Sequence, residues 1–135
     1  MIGLKDPKIA QEIERIRQIY QDDVITRPCR KITLLGRKCS PKIIYTFLGF
    51  ELKMGRLRLS CPDMGTARYL KVFAELGMKY ISLPYDPSHS VLLATGLEHA
   101  MDRIKEHLLA SKLPPDTHSR TMRQIYRSIR EKLDT

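Results

Sequence analysis

Residues 56–77 read RLRLSCPDMGTARYLKVFAELG and contain a strand, a helix start and a helix stop in direct succession. The first six of these residues alternate between polar and apolar side chains, which is typical of a half-buried β-strand. Residues 62–66 then open a helix whose apolar side chains recur every three or four residues, and Gly77 is placed to end it. This change of period predicts a chain that mixes strands with helices.

The residues before this stretch continue the strand pattern. Residues 30–35 and residues 43–53 are rich in β-branched and aromatic side chains, and the basic loop of residues 36–41 separates them. Gly55 provides a tight turn before residues 56–61, because glycine can adopt positive φ. We therefore predict an antiparallel meander of three strands, formed by residues 30–35, 43–53 and 56–61.

Helices are predicted before and after the meander in the sequence. Asp6 and Pro7 form a helix start, and isoleucines at spacings of three and four follow to about residue 20. After the next helix, residues 79–83 form a short strand, which a right-handed crossover would place parallel to residues 56–61. The prediction is an α+β fold in the order helix, three-stranded antiparallel meander, helix, strand, long helix and terminal helix, with a mixed four-stranded sheet packed on the helices.

The last quarter of the chain contains one linker signal. A long helix ends near Ala110, and the adjacent Pro114 and Pro115 cannot continue it. We predict a single α+β domain over residues 1–111, followed by a linker and a basic amphipathic helix over residues 112–135. That helix either packs on the same domain as an appendage or serves as a dimerisation element between two copies.

Positive charge is concentrated in two segments. The 135 residues include 24 lysines and arginines against 15 aspartates and glutamates, which gives a net charge of +9. Residues 24–61 hold nine basic residues and one acidic residue, and residues 112–135 hold six basic residues and three acidic ones. Such a local excess of positive charge produces a field that attracts polyanions.

The sequence lacks the signals of membrane-spanning, exported, lipid-anchored and metal-binding proteins. No apolar run approaches the length of a membrane-spanning helix, and the first residues do not have the features of an export signal or an N-myristoylation site. Cys29, Cys39 and Cys61 form no Cys-x-x-Cys pair, and no two histidines have the spacing of a helical metal site. We expect a cytoplasmic protein with reduced thiols, no metal, no cofactor and no membrane partner.

The meander and the last helix supply the candidate binding residues. If the aliphatic side chains of the meander face the helices, alternation places cations and aromatic rings on the opposite face. Single-stranded nucleic acids are held by this combination, because cations neutralise phosphates and rings stack on bases. Four arginines spaced three, four and three residues apart along the last helix would suit a phosphate backbone. The predicted nucleic-acid-binding residues are Lys31, Arg37, Lys38, Tyr45, Phe47, Lys53, Arg56, Arg58, Arg120, Arg123, Arg127 and Arg130.

Three functions are compatible with these residues. The first is a non-enzymatic protein that binds RNA or single-stranded DNA. The second is a protein-interaction or assembly module that binds an acidic partner or forms a homodimer through the C-terminal helix. The third is a metal-dependent nuclease, for which Glu51, Lys53 and Asp63 supply the residue types. The meander arginines could also be solvated charges with no ligand, and its rings could pack beneath a helix.

Cys61 lies at the junction of a strand and a helix, where a helix N-terminus can lower the pKa of a thiol. Six residues separate it from Arg68, whereas the phosphate loop of cysteine phosphatases has five residues between cysteine and arginine. The alternation of its strand points the Cys61 side chain into the core. We therefore predict an inert thiol, and no catalytic residues.

Overall fold

The computed structural model describes residues 6–134, which form four α-helices and five β-strands. The helices are α1 (Pro7–Gln18), α2 (Met64–Glu75), α3 (Ser90–Ala110) and α4 (His118–Leu133). The strands are β1 (Cys29–Thr33), β2 (Lys42–Thr46), β3 (Gly49–Met54), β4 (Leu57–Cys61) and β5 (Tyr80–Pro84). A π-helical segment (Ile19–Val24) extends α1, and short 3-10 turns (Pro87–His89 and Pro115–Thr117) precede α3 and α4. The predicted α+β fold class is confirmed.

The helix boundaries follow the capping signals in the sequence. The Asp6 carboxylate accepts a hydrogen bond from the Lys8 backbone N–H at 2.9 Å, and the Asp63 carboxylate accepts one from the Thr66 backbone N–H at 2.7 Å. These bonds satisfy amide groups that the first turn of a helix leaves without partners. Gly77 follows α2 with a φ of +80°, a conformation that glycine adopts without a steric cost.

The strands form two antiparallel sheets, so the predicted mixed four-stranded sheet is wrong. One sheet is the meander β2-β3-β4, and the other pairs β1 with β5, with Thr33 opposite Tyr80. Residues 34–41 separate β1 from the meander, so β1 does not pair with β2. Its partner is β5, the strand that follows α2. The Leu34 backbone N–H extends this pairing by donating to the Lys79 carbonyl at 2.6 Å. An antiparallel ladder therefore replaces the expected parallel crossover.

Residues 43–53 form a hairpin of two strands instead of the predicted single strand. β2 and β3 pair across a turn at Phe47 and Leu48. The Thr46 hydroxyl accepts a hydrogen bond from the Leu48 backbone N–H at 3.3 Å, and Gly49 adopts a φ of +131°. The hydroxyl and the glycine close a turn whose two central side chains are apolar. The meander is consequently β2-β3-β4, and the strand predicted over residues 30–35 belongs to the second sheet.

The terminal helix belongs to the same core as the rest of the chain. Ile125, Ile129 and Leu133 are buried, and they are part of the apolar cluster that also contains Ile16 of α1 and Phe73 of α2. The apolar side of α4 is thus covered within the chain itself. The helix therefore packs on the core of its own chain, and its role in forming a dimer stays a prediction.

We predict that Ile129→Ala lowers the free energy of unfolding by about 2–5 kcal/mol, because it removes a fully buried side chain from a packed site. Urea unfolding followed by circular dichroism measures this change. Glu131→Ala, an exposed substitution on the same helix, is the control and should change the stability by less than about 0.5 kcal/mol. An equally small effect of Ile129→Ala would mean that α4 does not contribute to the core.

Candidate nucleic-acid interface

The arginine side of α4 faces the basic loop that follows β1. Together with the C-terminal end of α2, these two segments line a cleft of about 540 Å³. The cations that line it are Arg37, Lys38, Arg120, Arg123, Arg127 and Arg130. Glu75 is the one acidic residue among the described residues that line the same cleft. Two predicted binding segments that are far apart in the sequence therefore form one basic site.

The arrangement of α4 follows from its helical period. Thr121, Ile125 and Ile129 recur every four residues and are buried. Arg120, Arg123, Arg127 and Arg130 fall on the side next to this buried stripe. Burial of one stripe against the core consequently fixes the direction of the other, and it turns the arginines toward the loop.

Arg130 is held in place by the end of α2. Its Nη1 donates a hydrogen bond to the Leu76 carbonyl at 2.5 Å. Carbonyls at the C-terminal end of a helix lack intrahelical partners and carry partial negative charge, so a guanidinium group stabilises them. Gly77 leaves room for this contact, because a Cβ at that position would lie 3.2 Å from Arg130 Nη1. Arg130 is therefore both a cation of the cleft and a cap of α2.

Four other cations of the cleft have no such role. Arg37, Lys38, Arg120 and Arg123 are exposed, and none of them forms a side-chain hydrogen bond or an ion pair with any residue between 6 and 134. Arg127 differs, because its Nε lies 3.3 Å from the Glu131 carboxylate. The four unpaired cations remain available for a ligand with negative charge.

Glu75 and Tyr126 do not prevent the cleft from binding an anion. The Glu75 carboxylate lies 4.0 Å from Lys105 Nζ, which offsets its charge. Tyr126 is half-buried, and burial together with the nearby Glu75 carboxylate raises the pKa of its phenol. The Tyr126 hydroxyl is therefore neutral at physiological pH and can donate a hydrogen bond.

Two smaller depressions extend the cleft into a longer groove. One shares Lys38, Glu75 and Tyr126 with the cleft and continues to Lys105. The other shares Gly77, Arg127 and Arg130 with it and is also lined by Lys79 and Tyr80. Lys31 Nζ and Lys79 Nζ lie 5.2 Å and 5.6 Å from the centroid of the Tyr80 ring. Lys31 thus lies beside the far wall of the groove, although its strand is outside the meander.

The basic and aromatic face predicted for the meander is not assembled as expected. Lys42, Lys53 and Arg58 lie opposite one another across the three strands and share one face. Tyr45 lies opposite Phe50, which puts it on the other face. The reason is the turn after β2, which reverses the alternation of residues 43–46 relative to residues 49–54.

The other meander residues predicted to bind lie outside the cleft. Phe47 is at the β2–β3 turn, and Arg56 is at the β3–β4 turn. Arg58 Nη1 lies 3.9 Å from a Glu51 carboxylate oxygen, so this arginine has an intramolecular partner. Lys53 shares the face of Glu51, and the pair of residues proposed for a nuclease site does lie on one face.

The remaining part of that nuclease constellation has a structural role. Both carboxylate oxygens of Asp63 are engaged by Thr66, one by its backbone N–H and the other by its hydroxyl at 3.0 Å. Within residues 6–134, no group of three or more histidine, cysteine, aspartate or glutamate side chains is arranged to hold a metal ion.

Several residues of the groove were not predicted from the sequence. Tyr126 has the helical spacing of the apolar residues of α4, which predicts packing and not binding, and Gly77 was expected only to end α2. Gln124, Lys79 and Tyr80 carried no signal of their own. Each of these residues reaches the groove through packing between segments that are distant in the sequence, so a single-segment pattern could not identify it.

No family model matches the chain, and no curated protein or solved structure matches it. Among the described residues, no helix has the length and apolar character required to cross a bilayer.

Cys61 provides a test of the predicted inert thiol. It is 2% exposed, and burial raises the pKa of its thiol. In a Cys29→Ser, Cys39→Ser background, where Cys61 is the single cysteine, we expect iodoacetamide at neutral pH to label the native protein on the order of a hundredfold more slowly than the denatured protein, because reaction requires local opening. Mass spectrometry follows the reaction. Native labelling as fast as denatured labelling would contradict the buried position of this thiol.

Proposed function

We propose that the protein binds nucleic acid, either RNA or single-stranded DNA, through the basic cleft and without catalysis. The observation that carries this proposal is the collection of six cations from the loop after β1 and from α4 in one concave site. Like charges held close together repel one another, which costs folding free energy unless a counter-ion or ligand offsets it. A phosphate backbone supplies the negative charges that remove this repulsion.

The extent of the groove favours a polymer over a small anion. Cations recur from Lys105, which pairs with Glu75, through the cleft to Lys79 and Lys31, and the acidic Glu131 and Asp134 also line the groove near Lys79. Tyr126 and Tyr80 are placed between them, and aromatic side chains of this kind stack on unpaired bases. A polymer in which negative charges and aromatic rings alternate could contact both the cations and the tyrosines of the groove.

The shape of the site favours a single strand over a duplex. A helix that reads duplex DNA protrudes from the protein and enters the major groove. The arginine side of α4 instead forms one wall of a depression that residues 36–38 of the loop also line. A flexible single strand can enter such a depression, because its backbone bends around the protein surface.

We predict that Arg120→Glu with Arg123→Glu lowers the affinity for a single-stranded RNA by at least about tenfold, because it reverses two unpaired charges of the cleft. The same variant should make the negative slope of log K against log salt shallower by about 1.4, because each contact with a single-stranded phosphate contributes about 0.7. Fluorescence anisotropy with RNA, single-stranded DNA and duplex at two salt concentrations measures both quantities. The melting temperature should stay the same or rise slightly, because the two exposed arginines have no partner to lose and their replacement relieves repulsion within the cleft.

Two further double variants separate the cleft from general electrostatics. Lys8→Glu with Arg15→Glu, on the exposed side of α1, lowers the net charge by the same amount and should leave the affinity within about threefold of wild type. Arg56→Glu with Arg58→Glu tests the meander and should weaken binding less than the cleft variant does. A larger loss in the meander variant would move the interface to the sheet. Absence of saturable binding to any nucleic acid would favour an acidic protein as the partner.

A further inference from the structure

The tip of the β2–β3 hairpin exposes two large apolar side chains. Phe47 is 103% exposed and Leu48 is 95% exposed, so neither of them packs on the rest of the protein. Polar residues and glycine are the usual occupants of such a turn. Here Thr46 and Gly49 provide the hydrogen bond and the backbone conformation that close it. The two apolar side chains are therefore not needed to form the turn.

The hairpin changes in character with distance from its tip. Tyr45 lies two residues before Phe47, on the side of the tip nearer the body of the sheet. It is 73% exposed, and its ring lies 5.1 Å from the ring of Phe50. Lys42 and Lys53 form the cross-strand pair at the opposite end of the hairpin. Each of them lies five residue steps along an extended strand from the tip, which corresponds to about 16 Å. An apolar end, an aromatic ring and a cationic base thus follow one another along the hairpin.

The whole meander is basic. Residues 42–61 contain Lys42, Lys53, Arg56 and Arg58 as cations and Glu51 as the single acidic residue. A partner that contacts the cations and the tip together would combine negative charge with an apolar interior that can receive Phe47 and Leu48.

We propose that the hairpin docks on a lipid bilayer that carries anionic headgroups, with Phe47 and Leu48 at the boundary between headgroups and acyl chains. Apolar side chains of interfacial elements enter about 5–10 Å into this boundary. The cationic base would then lie about 6–11 Å further out, which is within about one Debye length of the charged surface. Tyr45 would lie at headgroup level, where aromatic side chains with a polar end are favoured.

A nucleic acid fits the hairpin less well than a bilayer does. Apolar wedges that enter a base step are accompanied by cations on the adjacent phosphates. The cations of this hairpin instead lie about 16 Å from its tip, by the rise of an extended strand. None of the residues that line the basic cleft belongs to the hairpin, so this inference is independent of the proposed nucleic-acid binding.

The absence of tryptophan from the chain allows a direct test. Phe47→Trp places a single indole at the tip, and Leu109→Trp places one at an exposed apolar position of α3 as the control. Vesicles of phosphatidylcholine with about 30% phosphatidylserine should shift the emission of the tip indole to the blue, and brominated acyl chains should quench it. The control indole should show neither effect. An unshifted tip indole would overturn the proposal.

Vesicle flotation with variants of the 135-residue chain measures the binding itself. Phe47→Ser with Leu48→Ser should lower the partition onto the anionic vesicles by at least about tenfold. Leu92→Ser with Leu109→Ser, which changes side chains that are 73% and 72% exposed elsewhere, should have no effect. Wild-type binding should fall with added salt and should be absent with phosphatidylcholine alone.

Three results would overturn the proposal. The first is failure of the wild-type protein to float with anionic vesicles, and the second is flotation of the tip variant at the wild-type level. The third is a loss of RNA affinity in the tip variant that is as large as that of Arg120→Glu with Arg123→Glu, which would assign the tip to nucleic acid. Retained RNA affinity together with lost flotation supports two separate surfaces.

Discussion

The burial of Ile125, Ile129 and Leu133 determines where the arginines of the last helix can be. These side chains join the core of α1 and α2, and the helical period then directs the neighbouring stripe toward the loop of residues 36–41. The bond from Arg130 to the Leu76 carbonyl fixes the same helix against the end of α2. Loss of this packing would leave the two basic segments intact in sequence but would separate them in space.

The two basic surfaces of the protein differ in what accompanies their charge. The cleft is concave and combines cations with phenol and amide groups, which suits phosphates and unpaired bases. The meander is an exposed sheet face with an apolar tip at Phe47 and Leu48, and one of its arginines, Arg58, already pairs with Glu51. Charge alone does not distinguish a nucleic acid from a lipid surface, whereas the neighbouring apolar or aromatic groups do.

Local signals in the sequence predicted the helices well, because caps such as Asp63 and stops such as Gly77 act on adjacent residues. The hairpin within residues 43–53 was missed, since Phe47 at its turn is apolar and continues the strand pattern. The pairing of β1 with β5 was missed for a different reason, because strand pairing is decided by tertiary contacts. The convergence of the loop with α4 depends on the same kind of contact. The sequence therefore indicated the two basic segments, but not that the loop after β1 and α4 would line the same cleft.

We propose that the loop after β1 and the arginine side of α4 form one ligand site. Hydrogen–deuterium exchange, with and without saturating single-stranded RNA, tests this claim because it reports both segments in one experiment. If the two segments form one site, RNA slows exchange in residues 36–41 and in residues 118–130 together. Protection confined to residues 42–61, or to only one of the two cleft segments, would contradict it.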